Sequence, residues 1–433
     1  MLSPIGLKDI VTPPDSYRIS SSCCIQDFLN HAILKLTIED RLILAGVKLN
    51  PEDKDIRIID ELVRQISDWD YFIQHAIQHC VGPLLYKNLL LIPNFKRVPD
   101  SVTAQLKQTY LKTLSRNMVI YEHFRNAITA FSSQNISVIA LKGIFMADTI
   151  YRDIGLRQMS DIDLLVGNSK DGEKCKAILL DLGYTYSEIY HTEFNKQFSD
   201  SKHLPPLVLN GVSIELHTKI NLDNPGYSVN LDDYRDRSQP VILFGTKVQA
   251  LSPVDLIQHL CIHLDGHFTT SKIQLTSFCD ISEVLNFYKN DFDWKSLEDS
   301  CNSYHCQKNV YNYIYLAKKY FNAIVPDSFM KQAEQYIDQK HEDLFMHYIQ
   351  FDTKEIEKNV DGYEIKSINK VQGIKNKVIY VFGAVFPDRS FMYERYRIKN
   401  KPLIYWYYWV RIRKAMYAIF IYLRNRLIKA DVV

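Results

Sequence analysis

An α+β fold, with a mixed sheet set between helical N- and C-terminal regions, is what this sequence predicts, and three observations support it. Helical periodicity runs from Ser22 to about Leu91 without a convincing alternating stretch. Short apolar runs of strand length follow between 136 and 220, and the helical period returns at Ser252. Hydrophobic residues make up 46% and charged residues 24%, the balance of a globular protein rather than a disordered one.

In the lead-in region, Ile58, Ile59, Leu62, Val63 and Ile66 repeat at helical spacing. Pro99-Asp100-Ser101 is a start signal for a long helix to about Ser133, with Leu106, Tyr110, Leu114 and Tyr121 among its apolar positions. Gln134-Asn135 ends it. Strands are expected at Ile136 to Leu141, Ser160 to Val166, Leu207 to Leu209 and Val212 to Ile220, the last two flanking the hairpin signal Asn210-Gly211. A helix from Asp171 to Leu182, closed by Gly183, lies between them. At Ser252-Pro253-Val254-Asp255 a serine cap, a proline at the first helical position and an acid at the third open a remainder that reads as mainly helical to Val433. A chain of 433 residues exceeds one ordinary domain, and boundaries near 98 and 250 divide it into a helical region 1–98, a core 99–250 and a mainly helical region 251–433.

The formal net charge of +2 hides an uneven distribution: residues 391–433 hold ten Lys or Arg against Glu394 and Asp431, leaving the rest mildly acidic. The eight cysteines are scattered without C-x-x-C spacing and read as free thiols. The first residues lack a basic segment followed by an apolar run, and nothing later reaches about 18 uninterrupted apolar residues. A cytoplasmic protein without a transmembrane helix is expected.

The chemistry is expected at Ser160-Asp161-Ile162-Asp163-Leu164-Leu165-Val166. Period 2 along a strand puts Asp161 and Asp163 on one face, about 6–7 Å apart, and two such carboxylates repel unless a cation lies between them. Mg²⁺ prefers one or two carboxylates completed by water and phosphate oxygens. The spacing alone is weak, since Asp53-Lys54-Asp55 and Asp291-Phe292-Asp293 share it without an apolar strand following. Two further segments strengthen it. Val138 to Gly143 is a strand running into a glycine with a helix, Ile144 to Tyr151, after it, an arrangement that leaves backbone N–H groups for phosphate. Ile214-Glu215-Leu216-His217 places an acid and an imidazole on one strand face, where Glu215 is a candidate third metal ligand.

These segments resemble the uncharacterised bacterial nucleotidyltransferases of the polymerase-beta-like superfamily. The resemblance runs through Leu141-Lys142-Gly143, Tyr151, Arg157 to Val166 and Ile214 to His217, and extends to Cys80 through Tyr86 and to His259, His263, His267 and Asp280. It implies a polymerase-beta-like core, and two Mg²⁺ ions held by Asp161, Asp163 and Glu215. Around an NTP it implies Lys142, Gly143, Arg157, Ser160 and His217, with Lys142 and Arg157 supplying charge for phosphate. The implied reaction transfers a nucleoside monophosphate from the NTP to a hydroxyl-type acceptor, a small molecule, peptide or RNA, and releases pyrophosphate. A toxin-like transferase that modifies tRNA or protein, and a non-catalytic nucleotide- or partner-binding module, remain as rivals. The sequence departs from the superfamily's usual Gly-Ser or Gly-Gly turn, because Ile144 follows Gly143, and seventeen residues separate Gly143 from Asp161.

Blander roles stand beside these. Lys142 also fits a solvated lysine at a strand end, Arg157 an ion pair with Asp153 or Asp161, and His217 a packing role. His259, His263 and His267 share a helix face but match no zinc signature, and structural or substrate-facing roles are expected of them. The basic, aromatic stretch 405–429 suits contact with an anionic membrane or single-stranded nucleic acid. The expected role is a terminal helix whose aromatics cover the catalytic domain while the bases face water.

Overall fold

The computed structural model describes residues 36–186, 204–218, 229–268 and 273–350, together with 386, 389, 392, 398, 402–413 and 416. Expectations for residues 22–35, which include Cys23 and Cys24, for Ile220 and for 417–429 lie outside these residues.

Four helices open the described chain: α1 (Ile38–Gly46), α2 (Asp53–Gln65), α3 (Trp69–Gln78) and α4 (Gly82–Leu89). A capping box starts α1, where the Asp40 N–H donates to Thr37 Oγ1 and the Thr37 N–H to Asp40 Oδ2, both at 3.1 Å. The long helix expected from Pro99 spans α5 (Asp100–Ser133), about 51 Å at 1.5 Å per residue. Val102, Leu106, Thr113, Asn117, Ile120, Phe124, Ile128 and Phe131 bury one stripe of it at helical spacing. Its buried Asn117 Nδ2 donates to the carbonyls of Ile154 (2.5 Å) and Arg157 (2.8 Å), so α5 holds the loop that leads into the acidic strand.

Next come β1 (Val138–Ala140), the short α6 (Lys142–Phe145) widening into a π-turn over Met146–Ile150, β2 (Asp161–Val166), α7 (Ser169–Asp181), β3 (Thr185–Tyr186), β4 (Leu207–Leu209) and β5 (Val212–His217). After α8 (Leu231–Asp236), β6 (Gln239–Leu243) and β7 (Thr246–Ala250) complete the strands. Among the described residues seven strands form one mixed sheet in the order β3-β4-β5-β2-β1-β7-β6, giving the α+β class. Asn210 and Gly211 turn the β4–β5 hairpin with φ of 50° and 76°, the left-handed pair that a tight two-residue loop requires. The β6–β7 hairpin escapes the sequence reading: its turn residues Phe244 and Gly245 adopt φ of 46° and 76°, and only Gly245 hints at this in the sequence.

The centre of the sheet matters for chemistry. Parallel pairing of β2 with β5 sets Asp161 opposite Ser213, Asp163 opposite Glu215 and Leu165 opposite His217. Antiparallel β1 covers the other side of β2, and the Leu141 N–H continues the ladder to the Asp163 carbonyl at 3.1 Å.

The helices after the sheet are α9 (Pro253–Phe268), α10 (Leu275–Phe287), α11 (Trp294–Tyr304), α12 (Gln307–Phe321), α13 (Asp327–Ala333) and α14 (Gln339–Gln350). Ser252 caps α9 as expected, accepting the Asp255 N–H at 3.2 Å. Almost every residue of α10 from Leu275 to Leu285 is buried, because it packs on several sides. Thr276 Oγ1 donates to the carbonyls of His79 and Cys80, Glu283 accepts the Leu49 N–H, and Ser282 Oγ donates to the Phe321 carbonyl. Buried apolar residues form a continuous core from Leu36 to Ile349. The described cysteines, Cys80, Cys175, Cys261, Cys279, Cys301 and Cys306, are free thiols.

Candidate active site

The parallel β2–β5 register brings together residues 52 and 54 positions apart in sequence: Asp163, Glu215 and His217 each present a ligand atom within 4.8 Å of the other two. His217 Nε2 lies 2.6 Å from Asp163 Oδ1 and 3.8 Å from Glu215 Oε2. Lys142 Nζ donates to the same Asp163 oxygen at 3.0 Å. Asp163 and His217 are almost fully buried, whereas the Glu215 side chain keeps 22% of its surface. Burial pushes the Asp163 carboxyl upward, but the adjacent Lys142 and His217 outweigh it and hold it well below the usual carboxylate range.

Asp161 is two residues nearer the start of β2 and more exposed than Asp163, and it lies outside the tight group. Burial, and then the Asp163 charge beside it, raise its pKa. Ser160, at the entrance to β2, is exposed, and its carbonyl accepts from Arg116 at 3.3 Å.

The loop from Lys142 to Gly143 differs from the arrangement expected of it. Lys142, not the glycine, holds the left-handed backbone, with φ of 44°, and helix starts at Lys142 rather than Ile144. A non-glycine residue held there is strained, a feature common at functional sites. Gly143 is required for another reason: a Cβ on it would sit 2.4 Å from Arg157 Nη1 and 3.1 Å from Met159 Cγ.

Arg157 makes a different ion pair from either partner considered on sequence grounds. Its Nη2 and Nε reach Asp280 Oδ2 on α10 at 2.7 and 3.3 Å, while Nη1 donates to the Gln158 carbonyl. Asp153 instead accepts from Tyr110 Oη, and Asp161 acts on Arg157 only as a more distant charge. Tyr151 Oη also donates to Asp280, at 3.0 Å. Sequence spacing gave no signal for this pair, since its members are 123 residues apart.

His259 is buried on α9, while His263 and His267 are half-buried with their Nε2 atoms 3.2 Å apart. His263 is among the charges that lower the Asp163 pKa, so this helix face is turned toward the acids. Among the described residues no group of metal-ligating side chains includes these histidines.

The donor set tests the expected cation. Asp163 and Glu215 offer the oxygens Mg²⁺ prefers, and ligand atoms that all lie within 4.8 Å of one another are close to the roughly 4.2 Å across an octahedron with bonds of about 2.1 Å. The His217 nitrogen suits Mn²⁺ or Zn²⁺ better than Mg²⁺, and its hydrogen bond to Asp163 suits a group that orients a ligand.

Paired acids and a lysine meet at the centre of a mixed sheet. The comparisons give the class: the chain belongs to a family of uncharacterised nucleotidyltransferases, whose profile matches residues 65–322. Among solved structures it is similar to an antigenic nucleotidyltransferase-like protein from Paracoccidioides brasiliensis, at 14% identity and a TM-score of 0.20, covering 47% of this chain and 93% of that one. No curated protein sequence matches it.

Proposed function

We propose that the chain is a polymerase-beta-like, divalent-metal-dependent nucleotidyltransferase, which moves a nucleoside monophosphate from an NTP to a hydroxyl-type acceptor. The observation that supports this most directly is the register that sets Asp163 beside Glu215 at the sheet centre. Asp163 and Glu215 would hold Mg²⁺, Asp161 would add an oxygen from the same strand face, and His217 orients Asp163. When bound, the cation offsets the negative charge that develops on the transferring phosphoryl group.

The acceptor oxygen bonds to the α-phosphorus, the bond from that phosphorus to the bridging oxygen breaks, and pyrophosphate leaves. Glu215, the more exposed acid of the group, accepts the acceptor's proton. Lys142 turns from Asp163 to the phosphates, where its ammonium meets developing charge. Arg157 acts at one remove, holding the Gly143 turn and the approach to β2 from its anchor on Asp280. The low Asp163 pKa keeps that carboxylate ionised at neutral pH.

Isothermal titration with Mg²⁺ and each NTP, followed by incubation of labelled NTP with cell extract, tests this reading. Wild type binds at least one NTP only with metal present and labels an acceptor; the Asp161→Ala, Asp163→Ala variant does neither. A wild type that binds no nucleotide under these conditions is a non-catalytic module instead.

A further inference from the structure

We propose that the C-terminal helical segment, residues 403–413, docks this protein on the surface of an anionic lipid bilayer. Tyr407 and Tyr408 are half-buried, but Tyr405, Trp406 and Trp409, expected to cover the catalytic domain, are 67%, 58% and 50% exposed. They belong to a face. Trp406, Trp409 and Arg413 succeed one another at spacings of three and four, with exposed Leu403 one turn earlier, while Ile404 on the opposite side is buried. The helix therefore turns its tryptophan-bearing face to solvent, the reverse of a helix that caps a core.

The occupant follows from chemistry and charge. The segment lies within the part of the chain, 391–433, that holds ten Lys or Arg against two acids. Tryptophan and tyrosine beside arginine and lysine is the composition of helices that lie in a membrane interface, the rings at headgroup level and the cations toward anionic lipid. At about 17 Å long, the segment lies along a bilayer rather than crossing its roughly 30 Å core. Single-stranded nucleic acid would need open ring faces for stacking. Here the Trp406 and Trp409 rings stack on each other at 5.2 Å, and the Arg413 guanidinium stands 5.7 Å from the Trp409 ring centre. Exposed Leu403 at the start of the stripe offers aliphatic surface that bases do not use and lipid does.

Flotation of the full chain with vesicles, of phosphatidylcholine alone or with roughly one-third phosphatidylglycerol, tests the proposal. Wild type floats with anionic vesicles at least about tenfold more than with neutral ones, and added salt reduces this. Trp406→Ala plus Trp409→Ala lowers partitioning about tenfold, and Arg413→Glu about fivefold, both with unchanged circular dichroism. The tryptophan emission of wild type shifts to the blue on anionic vesicles, and the double variant, which keeps Trp69 and Trp294, loses that shift. Equal flotation of wild type and double variant overturns the proposal. So does binding to single-stranded RNA, or a dimer that depends on these tryptophans, without vesicle binding.

Discussion

Asp163 on the strand and Glu283 on helix α10 are both 5% exposed, yet their surroundings move them in opposite directions. Asp163 has an ammonium and an imidazole within hydrogen-bonding distance, and it is held ionised against burial. Glu283 accepts one backbone N–H, from Leu49, with Lys48 and Lys87 acting from further away, and burial pushes it up to about 7. Burial alone therefore does not decide whether a carboxylate stays ionised. What distinguishes the strand site is that charge-bearing partners converge on one carboxylate while its neighbour Glu215 stays open to solvent. Asp280, on the same helix as Glu283, also serves structure: it neutralises Arg157 and positions what Arg157 touches.

The sharpest break in this comparison comes from neutralising the strand acid. Asp163→Asn is expected to cut nucleotidyl transfer by about 10³-fold, ~4 kcal/mol of barrier, with a native circular dichroism spectrum. A variant with more than a tenth of wild-type rate places the chemistry elsewhere. On the helix side, Asp280→Ala strands the 14%-exposed Arg157 guanidinium without its carboxylate and is expected to cost about 3–5 kcal/mol in urea unfolding. A loss below about 1 kcal/mol contradicts the anchoring role.

Glu283 predicts a pH effect. Its folded pKa, about 7, stands above the ordinary 4.5, so its contribution to stability is fully present below pH 4.5 and is lost as pH rises through 7. Glu283→Gln keeps an acceptor for Leu49 and removes the titration. Wild type should lose on the order of 3 kcal/mol relative to the variant across that window, at about 1.36 kcal/mol per unit. Parallel stability curves from pH 4 to 8 rule this out. Asp163 is the opposite case: its depressed pKa contributes stability above the ordinary carboxylate range and loses it as acid approaches the folded pKa.

The same contrast explains what could be read in advance. Asp161, Asp163, Glu215 and His217 were legible because strand alternation and an apolar run fix which face a side chain takes, and because Asn210-Gly211 fixes the β4–β5 turn. The convergence of Asp163, Glu215 and His217 depends on the β2–β5 register, a pairing the local pattern does not encode. Arg157 was legible as a cation near the site but not as the partner of Asp280, since nothing in either segment specifies how α10 packs. Lys142 shows the limit most clearly: its positive φ falls on a lysine beside a glycine, where propensity assigns the unusual backbone to the glycine.

The close packing around Gly143 leads to the smallest effect. With an ordinary backbone, this glycine is demanded only by the close approach of Arg157 and Met159, so Gly143→Ala should cost about 1–3 kcal/mol of stability by overpacking. Arg157 Nη1 lies at the end of a long side chain and would swing aside cheaply if Asp280 did not hold the guanidinium. The cost should therefore be smaller when Asp280 is already Asn. A double-mutant cycle of Gly143→Ala with Asp280→Asn, read by urea unfolding, is expected to show a coupling of about 0.5–1 kcal/mol with that sign. Strict additivity would mean that Met159 alone fills the space beside Gly143, and that helix α10 does not reach the phosphate side of the site through Arg157.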